Sequence, residues 1–359
     1  MSNAIRIWSD RTLMVILAGW FAICAVRMGN RTARDVWGGR VPLSVNAIRD
    51  ATEGAFPFKG NARRMYDGLR LRLFSALPST VVRGADGWLF YRGEIAADGH
   101  SFDLFTGDWR LSNADVAAWR ATLEERRRRL AGMGIRYVVI IVPSKESIYG
   151  RSALADTQFA PASSTATDQV ATLLAEAGIP CLDLRPPLIT ASGAGRLYYQ
   201  GDTHWTPLGA VIAGREILGF LRGSGPSAAS PPQRAPSGIS HRGDIAAMAG
   251  LAVDEATEDY LIGSGEESLA KATARLSAGH TGGAITTRTS DTGEGTCLVF
   301  HDSFGACLMP ALVPVFHRSI WCWSNGRFQW ADVERERPGL VIQVLVERYL
   351  EHLIPAPVR

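Results

Sequence analysis

The chain has 359 residues, enough for one large or two ordinary domains, and its 46% hydrophobic and 20% charged residues are typical of a globular protein with a substantial core. A formal net charge of +3 is small for this length and gives no reason to expect a nucleic-acid partner. The one basic run, "EERRRRLAG" at 124–132, lies within a helical pattern and predicts a solvated helix face.

An uncharged apolar stretch lies close to the N-terminus, "LMVILAGWFAICAV" at 13–26. Its length suits the hydrophobic part of a signal peptide and is short for a membrane span of roughly 20 residues. Arg11 and Arg27 at its ends can extend their charged heads toward water, and no A-x-A cleavage site follows. We therefore expect residues 1–30 to form an uncleaved membrane anchor helix, with a cleaved signal peptide as the alternative, followed by a linker or stalk over 31–83.

From residue 84 onward, helical patterns alternate with buried strand-like runs. Helices are predicted over 112–134, 163–179 and 207–222. Strands are predicted over 135–142, 294–300 and 317–323, a strand with a turn over 180–189, and a strand-helix unit over 338–354. This alternation predicts an α/β domain over 84–355, with a mainly parallel sheet covered by helices on both faces. The Pro/Ser-rich segment 223–238 is predicted to be a flexible insertion or lid.

Polar residues lie next to two of these elements in a pattern that indicates nucleophilic catalysis. "GDTHW" supplies Asp202 and His204 just before a helix, and "HDSFG" supplies Ser303 just after a buried strand. A serine hydroxyl is a weak nucleophile until a base takes its proton, and that base needs an acid to orient it. We predict Ser303 as nucleophile, His204 as general base and Asp202 as the residue that orients His204. Backbone N–H groups at Ser303 and near Gly305 are expected to stabilise an oxyanion.

The motif "GDTHW" also has a purely structural interpretation as the start of a helix, because Asp or Thr commonly caps a helix and proline suits its first turn. His301 and Asp302, the neighbours of Ser303, point to other faces of the strand and are expected to have supporting roles.

Further candidates are weaker. Lys145, Tyr149 and Trp205 lie near the predicted site and are candidates for substrate contact. A solvated loop lysine explains Lys145 equally well, and packing in the core is the commoner explanation for the two aromatics. Glu347 and Arg348 are expected to form a buried ion pair. The other five histidines, at 100, 241, 280, 317 and 352, have no partner that the sequence identifies, and the five cysteines show no zinc spacing, so no metal is expected.

Seven short motifs in order, "GADGWLFY", "VPSKESIY", "CLDLRPPL", "GDTHWTPLGA", "HRGDIAAMAGL", "HDSFG" and "VLVERYL", span residues 84 to 350. Together they resemble the exported SGNH-hydrolase-like acetyltransferases of the alginate O-acetylation family. The resemblance implies a three-layer, circularly permuted SGNH-hydrolase-like domain in which the Asp-His pair precedes the serine. By motif position it also implies Asp202, His204 and Ser303 as the triad. One departure is His301, which stands where a glycine commonly precedes the Asp-Ser pair.

The resemblance implies a function as well. Family members act in the bacterial periplasm on an exopolysaccharide, beside a membrane-bound O-acyltransferase that delivers acetyl groups. We therefore expect a periplasmic O-acetyltransferase held at the inner membrane, or soluble in the periplasm if the N-terminal segment is cleaved. No bound cofactor is expected, since acetyl groups would come indirectly from acetyl-CoA through the membrane partner. A carbohydrate esterase and a non-catalytic polysaccharide-binding subunit are the alternatives.

Overall fold

A computed structural model describes residues 77–78, 80–92, 101–224, 231–236, 238–251, 254–262 and 267–354. The chain divides into two compact units, and the larger one, Ser79–Ala247 with Leu251–Arg359, contains the predicted domain 84–355 except for Met248–Gly250. The expected anchor (1–30) and nearly all of the expected linker (31–83) lie outside the described residues, as does part of the predicted insertion 223–238. Within the described residues, no helix combines the length and hydropathy that crossing a bilayer requires.

The described strands, in chain order, are β1 Val81–Arg83, β2 Leu89–Tyr91, β3 Arg136–Val142, β4 Cys181–Asp183, β5 Ile239–Arg242, β6 Asp254–Thr257, β7 Ile285–Thr289, β8 Thr296–His301, β9 Arg318–Trp323 and β10 Leu340–Val346. Six of them form the central sheet in the order β4-β3-β10-β8-β9-β7. All neighbours in this sheet run parallel except β7, which is antiparallel to β9. The predicted mainly parallel sheet is therefore confirmed.

The described helices are α1 Ser101–Thr106, α2 Asn113–Gly132, α3 Lys145–Ala153, α4 Ala166–Glu176, α5 Arg185–Ala191, α6 Pro207–Leu221, α7 Asp244–Met248, α8 Leu269–Leu276, α9 Met309–Leu312 and α10 Trp330–Glu336. Short 3₁₀ turns include Ser303–Leu308 after β8 and Glu347–Leu353 after β10. The strand predicted at the start of 180–189 is β4, but the turn predicted after it is wrong, because helix α5 begins at Arg185. Proline suits the first turn of a helix, and Pro186 lies at the start of α5.

The sheet separates two hydrophobic cores. Alternate residues of its central strands point to opposite faces, so that Ile140 and Ile342 lie in one core while Val139 and Val341 lie in the other. Helix α6 covers the first face, and helices α2 and α4 cover the second. The near-continuous Val/Ile content of β3 and β10 follows from burial on both faces. The expected three-layer α/β/α architecture is confirmed.

Two small hairpins accompany the main sheet. In the first, β1 pairs antiparallel with β2, so the predicted domain start at residue 84 falls between two paired strands. In the second, β5 pairs antiparallel with β6. The sequence analysis did not predict β5, β6 or β7, whose residues are only partly buried and lack a long apolar run.

The basic run on α2 is not wholly a solvated face, which corrects the expectation for 124–132. Arg126 is only 3% exposed, because it lies on the same helix face as Leu123 and Leu130. Its guanidinium donates hydrogen bonds to Gln343 Oε1 at 3.1 Å and to the Leu353 carbonyl at 2.7 Å. A buried cation thus joins α2 to the middle of β10 and to the C-terminal 3₁₀ turn.

Replacing this cation should destabilise the fold, since the polar groups it binds would lose a buried partner. We expect Arg126→Met to lower the free energy of unfolding by about 3 kcal/mol. Arg127→Met, one residue away and exposed, should change it by less than about 0.5 kcal/mol. Urea unfolding followed by circular dichroism measures both, and equal effects of the two substitutions would contradict the structural role of Arg126.

Candidate active site

Three side chains from separate parts of the chain form a hydrogen-bonded relay. Ser303 follows β8, and Asp202 and His204 lie in the loop before α6. His204 Nε2 is 2.7 Å from Ser303 Oγ, and His204 Nδ1 is 2.7 Å from Asp202 Oδ1. The side chains of His204 and Ser303 are partly exposed, whereas Asp202 is buried. These contacts and this exposure match the geometry that activates a serine, and the structure brings the three residues together as predicted.

Both oxygens of the Asp202 carboxylate accept hydrogen bonds. Oδ1 accepts from the backbone N–H of His204 at 2.8 Å in addition to its ring. Oδ2 accepts from His241 Nε2 at 2.8 Å and from the backbone N–H of Asp244 at 2.8 Å. Burial alone would raise the pKa of Asp202, but the hydrogen bonds from His204 and His241 outweigh it and hold that pKa well below its usual value. Asp202 is therefore an anion that can orient His204.

Asp244, the first residue of α7, holds this loop in place from the other side. The Asp244 carboxylate accepts from the Thr203 backbone N–H at 2.8 Å and from Thr203 Oγ1 at 2.7 Å. Thr203 is buried and adjoins both Asp202 and His204 in the chain. The sequence analysis missed His241 and Asp244, and the only signal for them was their presence in one of the resembling motifs, "HRGDIAAMAGL".

Lys145 was expected to contact substrate, and its burial corrects that expectation. Only 2% of its surface is exposed. Its Nζ donates to the carbonyls of Asp202 at 2.7 Å, Gln200 at 3.0 Å and Tyr199 at 3.2 Å. Burial lowers the pKa of Lys145 to about 8, and nearby carboxylates oppose that shift. Lys145 therefore binds the backbone of the loop that carries Asp202.

The two aromatic candidates lie in packed surroundings. Trp205 is 2% exposed and meets Phe304 edge-on with ring centroids 5.0 Å apart, so it belongs to the core and the substrate-binding expectation is wrong. Tyr149 is half-buried, stacks on Trp88 at 4.3 Å, and its hydroxyl accepts from the backbone N–H of Leu197 at 2.9 Å. These contacts show that Tyr149 packs against its neighbours. Contact between Tyr149 and a substrate stays a prediction.

Asp302 and His301 fix the turn that presents Ser303. The Asp302 carboxylate accepts from the backbone N–H of Phe304 at 2.9 Å and of Val346 at 2.7 Å, which ties the turn after β8 to the end of β10. His301 is fully buried, and its Nδ1 lies 2.6 Å from the Asp302 carbonyl. Burial lowers the pKa of His301 to about 3, so this imidazole is neutral. The expected supporting roles of both residues agree with these contacts.

The amide groups around Ser303 differ in their availability. The Phe304 N–H binds Asp302, and the Gly305 N–H donates to the Asp302 carbonyl at 3.1 Å. Gly305 is therefore not the free donor that the sequence analysis expected. The Ser303 N–H donates to no other residue in the part of the chain that the structure describes, which leaves it as the candidate oxyanion donor.

The expected ion pair between Glu347 and Arg348 does not form. The Glu347 carboxylate accepts from Thr167 Oγ1 at 2.7 Å and from the Ser144 N–H at 2.8 Å, and it lies 3.8 Å from Arg185 Nε. Arg348 instead lies over the Phe304 ring at 5.6 Å. Neighbours in the chain point in different directions here, so adjacency in sequence did not predict pairing.

Asp202, His204 and Asp244 lie close enough together to offer three metal-ligand atoms. Their atoms already hold other groups, because Asp202 binds both histidines and Asp244 binds Thr203. These residues suit a proton relay better than a cation site, and the expectation of no metal stays a prediction.

Residues 81–275, more than half of the chain, match the family described as "SGNH hydrolase-like domain, acetyltransferase AlgX" (ALGX). The chain belongs to this family. The matched range contains Asp202 and His204 but ends before Ser303, so for the nucleophile the structure contributes independent evidence. The resemblance stated from the motifs is thereby confirmed.

Two curated relatives are named probable alginate O-acetylase AlgJ. The protein from Pseudomonas syringae pv. tomato is 28% identical over 193 residues, which cover 53% of this chain and 46% of that protein. The protein from Pseudomonas fluorescens is 26% identical over 251 residues, covering 66% of this chain and 60% of that protein. The chain thus spans about half the length of the curated relatives that it matches.

Among solved structures, Bacillus cereus PatB1 with a sulfonyl adduct aligns with a TM-score of 0.52 at 13% identity, over 77% of this chain and 96% of that one. At this identity the likeness concerns the fold alone, and it agrees with the architecture described above.

The role of Lys145 can be tested by removing its charge. Lys145→Met would remove the Nζ donor from the carbonyls of Tyr199 and Asp202, while the Gln200 carbonyl keeps the Leu89 N–H, and should lower the free energy of unfolding by about 3 kcal/mol. Because a small displacement of a catalytic loop is costly, hydrolysis of a chromogenic acetyl ester should slow by about 100-fold. Lys271→Met, on the exposed face of α8, is the control and should match the unsubstituted chain. A raised KM with normal kcat and stability would instead restore the substrate-contact role.

Proposed function

We propose that this chain is a periplasmic O-acetyltransferase that moves an acetyl group through Ser303 onto hydroxyls of an alginate-like exopolysaccharide. The observation that carries the proposal is the relay from Asp202 through His204 to Ser303, with both hydrogen bonds at 2.7 Å. Membership of the AlgX acetyltransferase family and the relatives named alginate O-acetylase support the choice of reaction and polymer.

In the proposed first step, His204 Nε2 takes the Ser303 proton while Oγ attacks the acetyl carbonyl. Asp202 stabilises the imidazolium that forms on His204, and the Ser303 N–H can donate to the oxyanion. His204 then protonates the leaving group, which gives acetyl-Ser303. A sugar hydroxyl, deprotonated by His204, takes the acetyl group in the second step and restores the free serine.

The acetyl donor belongs to the proposal as well. Acetyl groups would originate from acetyl-CoA and reach Ser303 through a membrane-bound O-acyltransferase, so the chain would need no bound cofactor. Anchoring to the inner membrane by residues 1–30, or release after cleavage there, completes the proposal.

Hydrolysis and transfer share the same acyl-enzyme, so an esterase is the main alternative. The full chain is incubated with a chromogenic acetyl ester, with and without a defined oligomannuronate, and both products are followed by mass spectrometry. We expect acetylated oligosaccharide and an acetyl group on Ser303. Free acetate alone, whether or not sugar is present, would favour the esterase, and no turnover by folded protein would favour a binding subunit.

Replacing the nucleophile gives the sharpest prediction. Ser303→Ala should abolish both products, while the free energy of unfolding changes by less than about 1 kcal/mol because the hydroxyl is partly exposed and outside the core. Ser152→Ala, at an exposed position on α3, serves as the matched control and should retain full activity. Residual transfer by Ser303→Ala would exclude this serine as the nucleophile.

The partner proposal has its own test. Purified chain supplied with acetyl-CoA and oligosaccharide should form no acetylated sugar until membranes containing the O-acyltransferase are added. Direct transfer from acetyl-CoA would overturn it.

A further inference from the structure

The triad acid binds two histidines, one on each carboxylate oxygen. His204 holds Oδ1 at 2.7 Å, and His241 Nε2 holds Oδ2 at 2.8 Å. A serine relay needs only the first of these. His241 comes from β5, in a two-stranded hairpin outside the central sheet. Its position raises the question of what a second imidazole does at the acid.

The hairpin and the triad loop are in close contact. A side-chain carbon at Gly243 would lie 2.0 Å from the Gly201 carbonyl oxygen, so only glycine permits this approach. Gly243 lies between His241 and Asp244, which bind Asp202 and Thr203 respectively. The ring of His241 also stacks on Tyr199, with centroids 4.2 Å apart and planes 23° apart. The backbone approach and the ring stack both fix where the imidazole points.

We propose that His241 is a positioning residue that fixes the Asp202 carboxylate and limits how far Asp202 stabilises the imidazolium that forms on His204. The inference rests on the proposed Ser303 chemistry, and it adds a residue outside the triad that tunes its base. His241 lies one step away from the reacting atoms and acts through Asp202.

The charges around His241 determine the direction of the effect. The groups that face it are the carboxylates of Asp202, Asp244 and Glu255, the last of which lies opposite it on β6. The hydrogen bond to Asp202 raises the pKa of His241, and burial opposes that rise. A protonated His241 neutralises part of the charge on Asp202, so the imidazolium of His204 is stabilised less. Removing the His241 charge should therefore let Asp202 stabilise the His204 imidazolium more, which would shift the pH profile of Ser303 labelling upward.

Two substitutions separate the charge from the hydrogen bond. His241→Gln keeps an N–H donor without the charge, and His241→Phe keeps a ring to stack on Tyr199 without a donor. Each full-length variant is treated with an aryl sulfonyl fluoride across pH 5–9, and labelling of Ser303 is followed by intact mass. The titration of His204 is followed in parallel through the NMR signal of its Cε1–H.

The rate of Ser303 labelling, plotted against pH, should fall on the acid side with a midpoint about 0.5–1 pH unit higher in both variants than in the unsubstituted chain. The NMR titration of His204 should move upward by the same amount. In His241→Phe the plateau rate of labelling should also fall by about tenfold, because Asp202 Oδ2 loses one of its two donors. Arg242→Gln is the control: it removes a charge from the next residue of β5, whose exposed side chain pairs with Asp254, and should leave midpoint and plateau unchanged.

A structural role alone would lower the thermal stability of the His241 variants while midpoint and plateau stay as in the unsubstituted chain, and that result would overturn the inference. A downward shift would overturn it as well. If Ser303 of the unsubstituted chain takes no label, the proposed function fails, and the His204 titration still tests the inference by itself. If labelling and the shift occur but no sugar is acetylated, the inference stands and only transfer fails.

Discussion

A buried carboxylate in an interior of low dielectric stays ionised only if fixed donors replace the water it has lost, and Asp202 meets this requirement with four of them. Two are imidazoles and two are backbone N–H groups. Because the backbone donors belong to His204 and Asp244, the loop before α6 and the start of α7 must keep one relative placement. The β5–β6 hairpin is required for the same reason, since it supplies His241.

The nucleophile is fixed by a second and separate set of bonds. Asp302 ties the turn after β8 to the end of β10, and its carboxylate uses backbone amides alone. Lys145, the first residue of α3, binds the opposing loop through three carbonyls. The two halves meet at the contact between His204 and Ser303. The 2.7 Å distance between His204 Nε2 and Ser303 Oγ therefore depends on two separately held segments. One follows β8 and the other is held by Lys145 after β3, and β10 lies between these two strands in the sheet.

The triad could be predicted from sequence because each member directly follows or precedes a strongly patterned element, and the ends of parallel strands share one edge. His241 and Asp244 could not, since their hairpin carries no long apolar run and its position is set by tertiary contact. Lys145 was located correctly and given the wrong role, because sequence shows the strand end and does not show which way a long side chain extends. The burial of Arg126 could have been predicted from helix periodicity, because Arg126 lies three residues after Leu123 and four before Leu130 and so shares their face of α2.

Gly305 and His301 lie so close together that no side chain fits at 305 while His301 is present. A side-chain carbon built on Gly305 would lie 2.3 Å from Nδ1 of His301, well inside van der Waals contact. The imidazole occupies the volume that a residue at 305 would otherwise fill. Removing the His301 ring would leave room for a side-chain carbon at 305, whereas with the ring present alanine at 305 does not fit. Anyone who grafts the serine turn onto another member of the fold must transfer both residues together.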